Sequence, residues 1–200
     1  MKSGLRQALE VLKSGGVVVC PTDTAYGMAV DATNPSAVKK LYQLKGRDFK
    51  KPIHVIPPTK AWVEKLVKLN SPAKLLIDEL MPGPITLVLP LKAKGEVYKL
   101  LSAGTKSLGI RRPKNKIALD LAMLCGKPIT ATSANVSGQP NCYSVAQVKK
   151  QFGKKASELY FLDAGKLPKV APSTVVAIRG KNVTILREGP VSKAAIMKAI

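Results

Sequence analysis

The stretch Ile129-Thr130-Ala131-Thr132-Ser133-Ala134-Asn135-Val136-Ser137-Gly138 decides the fold. It opens as an apolar, β-branched run and closes in small polar residues and a glycine. A buried strand looks like this where it opens into a tight loop at a sheet edge. No bulky side chain interrupts the hydroxyls and the carboxamide. Such a loop brings backbone N–H groups and short donors close to a flat or anionic ligand. The same residues also suit an ordinary polar turn, so the rest of the chain has to choose between the two.

Elsewhere the same grammar recurs. Val17-Val18-Val19-Cys20 is a continuous apolar run, the mark of a strand buried on both faces. It follows a helix with Leu5, Ala8, Leu9 and Leu12 on one face, Ser3 as its expected cap and Gly15-Gly16 as its stop. It leads into the hydroxyl-rich turn Pro21-Thr22-Asp23-Thr24. Asn34-Pro35 pairs a cap with a first-turn proline. Thr59, Ser71-Pro72, Asn115, Ser144 and Ser192 open further helices, the Thr59 helix running to about Leu69. Strands are expected near 52–56, 85–91, 106–113, 159–162, 173–178 and 183–187. Helices alternate with strands and the tail is β-rich, which predicts an α/β domain with a mixed sheet. Length suits a single domain over residues 1–200.

Composition narrows the chemistry. Lys and Arg number 33 against 12 Asp and Glu, a formal charge of +21. A Lys-rich surface accounts for part of this, but the acids that accompany lysine in thermophile proteins are missing. The excess points to an anionic partner such as a nucleotide, RNA or a membrane surface. No run is long and apolar enough to span a membrane, and the N-terminus has charge but no secretory apolar core, so the reading is cytoplasmic. Three scattered cysteines make neither a disulfide framework nor a CxxC site. The single histidine, His54, lies in an alternating strand and reads first as structural. No acidic cluster offers a protein-held two-metal site. What remains is cation and hydroxyl, suited to reactions in which the substrate brings its own nucleophile.

Two basic placements stand out. Lys45-Gly46-Arg47 follows the Asn34 helix, and a break at Gly46 would let both cations point inward; the ordinary reading is a solvated charge run. Arg111-Arg112 ends a strand, where arginine suits bidentate capture of carboxylate or phosphate.

Several motifs occur in order: Pro21-Thr22-Asp23-Thr24-x-Tyr26-Gly27, Lys45-Gly46-Arg47, Pro82-Gly83-Pro84-x-Thr86, Gly109-Ile110-Arg111-Arg112-Pro113, Thr132-Ser133-Ala134-Asn135-x-Ser137-Gly138, Pro172-Ser173-Thr174-Val175 and Leu186-Arg187-Glu188-Gly189. Together, and over nearly the whole chain, they resemble the YrdC-like family of L-threonylcarbamoyl-AMP synthases. The resemblance implies a twisted mixed α/β sheet, flanked by helices, around a basic concave cavity. It implies condensation of L-threonine, bicarbonate and ATP with release of pyrophosphate. The product would serve threonylcarbamoyladenosine formation in tRNA through a separate transferase. Lys45 and Arg47 would be catalytic, holding the phosphates. Ser133 and Asn135, with Ser107, Asn141 and Arg187, would bind nucleotide. Thr24, Arg111 and Ser173 would hold threonine, with Ala131 contributing backbone. Mg²⁺ would be held mainly by phosphates. Affinity for tRNA or double-stranded RNA is a further expectation. His54 falls two residues short of the position where longer members use a histidine, so no role carries over to it. Longer members also append a C-terminal domain, and the expectation here is the short, single-domain form. Two other readings stay open on the residues alone: an RNA-binding module without catalysis, and a carbamoyl-adenylating domain.

Overall fold

The computed structural model describes residues 2–200. Its first strand, β1 (Val17–Pro21), is buried at every position. Successive strand side chains point to opposite faces. Val17 and Val19 therefore enter one apolar core, and Val18 and Cys20 another. The remaining strands are β2 (Tyr26–Ala29), β3 (His54–Ile56), β4 (Ile85–Pro90), β5 (Ser107–Arg111), β6 (Ile129–Ser133), β7 (Leu159–Phe161), β8 (Thr174–Arg179) and β9 (Asn182–Arg187). They form one mixed sheet in the order β7-β1-β2-β6-β3-β5-β4-β8-β9. The architecture is α/β, a mixed sheet with helices on both faces, as the sequence predicts.

Helices α1 (Lys2–Lys13) and α6 (Lys116–Cys125) cover one face through Ala8, Leu12, Ala118, Leu121 and Ala122. The larger core lies on the other face. It takes Leu41 from α2 (Pro35–Lys45), Leu66 from α3 (Lys60–Leu66) and Leu76 from α4 (Ser71–Leu80). Leu101 from α5 (Glu96–Leu101), Phe152 from α7 (Val145–Phe152) and Ile196 from α8 (Lys193–Lys198) complete it.

Helix starts follow the expected chemistry. The side chain of Asn34 accepts from the N–H groups of Ser36 and Ala37. Asn115 caps α6 through Ala118, and Ser144 caps α7 through Gln147. Free N-terminal N–H groups need such acceptors. Three expectations need correction. Ser3 is already helical and caps nothing. Asn70, rather than Ser71, caps α4. Helix α3 ends at Leu66, because Val67 turns extended and bridges to Leu91 at the end of the neighbouring strand.

Register places the functional residues. Arg111 pairs with Thr86, Thr86 with Val175 and Val175 with Arg187. One row across β5, β4, β8 and β9 thus carries two arginines on the same face. His54 pairs with Ala131 of β6, and its ring lies against the backbone of Gly109 on β5. A methyl at Gly109 would overlap that ring. Overpacking of this kind costs about 1–3 kcal/mol. Gly109→Ala should therefore unfold at lower urea than the parent, with an unchanged slope, while Gly104→Ala in an open turn should leave the ring undisturbed.

Candidate active site

A concave cavity of about 450 Å³ opens between the β1–β2 turn, the start of β3, the end of β5, β6 with the loop beyond it, the start of β8 and the end of β9. That volume lies within the range of small-molecule sites. Its walls carry Arg47, Lys51, Arg111 and Arg187, with Thr22, Thr24, Thr132, Ser133 and Ser173 between them.

Arg111 leaves the end of β5 and donates from Nη2 to Asp23 Oδ1 at 2.6 Å and to Thr24 Oγ1 at 2.8 Å. Its buried Nε has no protein partner. Arg47 follows Gly46, which ends α2 with φ 56°. Its guanidinium donates to the carbonyls of Lys51 (3.2 Å) and Pro52 (2.9 Å). Arg187 donates to the carbonyl of Ser173 from Nε (3.1 Å) and Nη2 (2.8 Å). Ser173 Oγ accepts from Arg187 Nη2 at 3.2 Å and meets Thr86 Oγ1 at 3.0 Å. Burial lowers the pKa of Arg47 and of Arg187, but a guanidinium keeps its proton in proteins.

His54 lies at the cavity floor. Burial, then Arg187, Arg111 and Arg47, push its imidazole down to about 4. It is a neutral ring at physiological pH. Cys20 also lines the cavity. Burial drives its thiol up to about 12, against a smaller opposing pull from Arg111. A reactive cysteine needs its thiolate, so Cys20 is no nucleophile.

The sequence-predicted residues divide. Thr24, Arg47, Arg111, Ala131, Ser133, Asn141, Ser173 and Arg187 all line the cavity. Lys45, Asn135 and Ser107 do not. The bend at Gly46 turns Lys45 away from Arg47 and beneath the loop after β6. There its buried ammonium donates to the carbonyls of Ser133 (2.5 Å) and Asn135 (2.6 Å), and its own carbonyl accepts from Ser137 N–H at 2.8 Å. Burial and then Arg47 lower its pKa to about 7. Asn135 is buried too. It accepts from Ser133 Oγ and donates to the carbonyls of Val136 (2.9 Å) and Gln139 (2.7 Å). Both residues shape the loop that presents Ser133. Ser107 starts β5 beside Pro90, at the end opposite Arg111. Two residues that sequence reading passed over join the wall: Lys51, hidden in a charge run, and His54, whose place depends on β3–β5–β6 pairing.

The arrangement can hold one phosphate chain and one carboxylate among fixed cations, with hydroxyls for orientation and water largely displaced. The residues do not make a protein-held magnesium site. Among the described residues no three His, Cys, Asp or Glu side chains cluster, and both oxygens of Asp23 are occupied by Arg111 and by the N–H of Lys114. Among the described residues no helix is long and apolar enough to cross a membrane.

An α/β protein with this cationic cavity has known counterparts. The family model Sua5_yciO_yrdC, described as "Telomere recombination", matches residues 10–189. The chain belongs to that family. A relative from Methanocaldococcus jannaschii is 36% identical over 196 residues, which are 95% of this chain and 90% of that one. A Pyrococcus abyssi protein named threonylcarbamoyl-AMP synthase is 33% identical over 98% of this chain, and the match spans only 57% of its own length. The crystal structure of P. abyssi Sua5 complexed with L-threonine superposes with TM-score 0.90, at 32% identity, over 98% of this chain and 57% of that one. Escherichia coli YciO shares the fold at 24% identity and TM-score 0.82, over 95% of this chain and 91% of that one.

Because His54 is the single histidine, its ring protons are unambiguous in NMR spectra of untagged protein. The midpoint should lie near 4; a midpoint near 6.5 would show an ordinary solvated ring. Between pH 6.5 and about 4 the unfolded chain binds a proton that the folded chain does not. Stability should therefore be full above that window and fall as pH drops through it, by about 1–3 kcal/mol in all.

Proposed function

We propose that this chain synthesises L-threonylcarbamoyl-AMP from L-threonine, bicarbonate and ATP and releases pyrophosphate. One observation carries the reading: the cavity holds separately oriented cations, Arg111 on Thr24 and Arg47 on the carbonyls of Lys51 and Pro52, and no acid lines it among the described residues. That is the chemistry of one carboxylate and one polyphosphate held side by side. The naming of a P. abyssi relative and its complex with L-threonine support it.

In this reading Arg111 takes the threonine carboxylate, and Thr24 and Ser173 offer hydroxyls, with Ala131 presenting backbone. Arg47, Lys51, Ser133, Asn141 and Arg187 hold the nucleotide. The threonine amine adds to carbon dioxide or bicarbonate, with loss of water in the second case, to form a carbamate. A carbamate oxygen then attacks the α-phosphorus. The bond from that phosphorus to the β-phosphate oxygen breaks, and pyrophosphate leaves. No protein nucleophile takes part. The cations balance charge that gathers on the leaving group. Magnesium arrives on the phosphates of ATP. The product would pass to a separate transferase acting on tRNA.

Pyrophosphate release should require the amino acid. L-Threonine should exceed L-serine by about 10–200-fold and L-valine by about 10⁴-fold in kcat/KM, because valine leaves buried hydroxyls unpaired. Release that ignores the amino acid would falsify the assignment. Arg47→Ala should lose about 2–4 kcal/mol of transition-state stabilisation while circular dichroism stays unchanged.

We also infer affinity for RNA. The charge of +21 is spread over exposed lysines, among them Lys50, Lys51, Lys114, Lys166 and Lys169. Binding to a polyanion releases counterions, so it should weaken steeply with salt and depend little on sequence. Gel-shift titrations at rising ionic strength decide it, and no shift at low salt would assign the lysines to solubility alone.

A further inference from the structure

Among the described residues no carboxylate lines the cavity, yet Asp23 is bonded to one of its arginines, and neither the motif resemblance nor the reaction chemistry gives it work to do. A site built for anions would be expected to exclude it. Its contacts explain its presence. Oδ1 accepts from Arg111 Nη2 at 2.6 Å and Oδ2 accepts from the backbone N–H of Lys114 at 2.9 Å. The Asp23 and Arg111 side chains are 9% and 13% exposed. One carboxylate therefore ties the β1–β2 turn to the exit of β5, and both its oxygens are spent on donors from a single segment. Neither oxygen faces a ligand. Thr24 completes the arrangement. Its Oγ1 accepts from the same Nη2 at 2.8 Å. Thr22 Oγ1 donates to the carbonyl of Ala25 at 2.7 Å, so it can only accept from Thr24, 3.2 Å away. The Thr24 proton is thereby given to Thr22 and its oxygen to Arg111, so this hydroxyl helps hold the guanidinium in place.

Arginine has a long side chain with many rotamers, and ordering it is part of what binding costs. We propose that Asp23 is a positioning residue: with Thr24 it holds Arg111 by Nη2, in the orientation that presents the rest of its guanidinium to the cavity, ready for the carboxylate end of the amino-acid substrate. The inference rests on the functional reading above and assigns Asp23 to amino-acid capture, with no part in nucleotide capture. An asparagine has the same shape but only one acceptor oxygen. It can satisfy Arg111 or Lys114 N–H, never both.

The test is steady-state pyrophosphate release by Asp23→Asn. KM for L-threonine should rise about 10–100-fold, with KM for ATP within about twofold and kcat within a few-fold. In an Arg111→Gln background the same change should add nothing to KM for L-threonine, because a residue that acts only through Arg111 has nothing left to orient. Equal rises in both KM values, no rise, or additivity with Arg111→Gln would overturn the proposal. Parent protein that releases no pyrophosphate with L-threonine would overturn the functional reading instead. The positioning claim then stands or falls on arginine Nε–H signals in ¹⁵N-resolved NMR spectra. The Arg111 signal should exchange slowly in the parent and be lost to solvent exchange in Asp23→Asn; its retention refutes the lock. The same spectra reveal whether Asp23→Asn is folded, and if it is not, Asp23→Glu takes its place with the same expected split between substrates.

Discussion

The structure turns on one buried ammonium. Lys45 ends α2, 1% exposed, and holds the loop after β6 by the carbonyls of Ser133 and Asn135. A charge in that position is costly unless its donors are met. Two short bonds meet it, and they fix the height of the loop above the sheet. Ser133 reaches the cavity wall because Lys45 and Asn135 stay behind it. The stretch that reads as a ligand loop rests on Lys45.

The same device recurs around the cavity. Arg47 is oriented by the carbonyls of Lys51 and Pro52, and Arg187 by the carbonyl of Ser173. A carbonyl dipole aims a cation without cancelling its charge, whereas a carboxylate would do both. Carbonyl backing therefore leaves the wall positive and still rigid. That combination suits a polyanion with charge moving along it, since preoriented groups need no rearrangement during the reaction. Arg111 is the exception, backed by Asp23. A partly neutralised arginine fits a single carboxylate better than a phosphate chain.

Much of this was legible in the sequence where the governing interactions are local. Asn34, Asn115 and Ser144 cap helices because a short side chain finds N–H groups two or three residues on. The run Val17–Cys20 announces a strand buried on both faces by composition alone. What stayed hidden depends on contacts between distant segments. Lys45 and Arg47 look equivalent around Gly46, but one meets a loop from β6 and the other the carbonyls after Asp48-Phe49-Lys50. Ser107 and Arg111 share a strand, yet only the end of β5 opens on the cavity. Lys51 is one lysine in a charge run until β3 places it. His54 looks structural because a lone histidine in a strand usually is; its position over Gly109 follows from parallel pairing with β5, which no periodicity reveals.

The neutral His54 follows from the same economy of charge. Burial first, and then Arg187, Arg111 and Arg47, disfavour its imidazolium. A carboxylate in its place would draw the arginines together and quench them. A lysine would add repulsion with no carbonyl to hold it. A neutral imidazole offers one donor and one acceptor at the floor, so it can bond a substrate while adding nothing to the charge balance. Glycine at position 109 is what lets the ring sit there, since any side chain would claim the same space. The polarity of the cavity is thus divided by kind: charge aimed by carbonyls at Arg47 and Arg187 and by Asp23 at Arg111, and a neutral ring seated against Gly109.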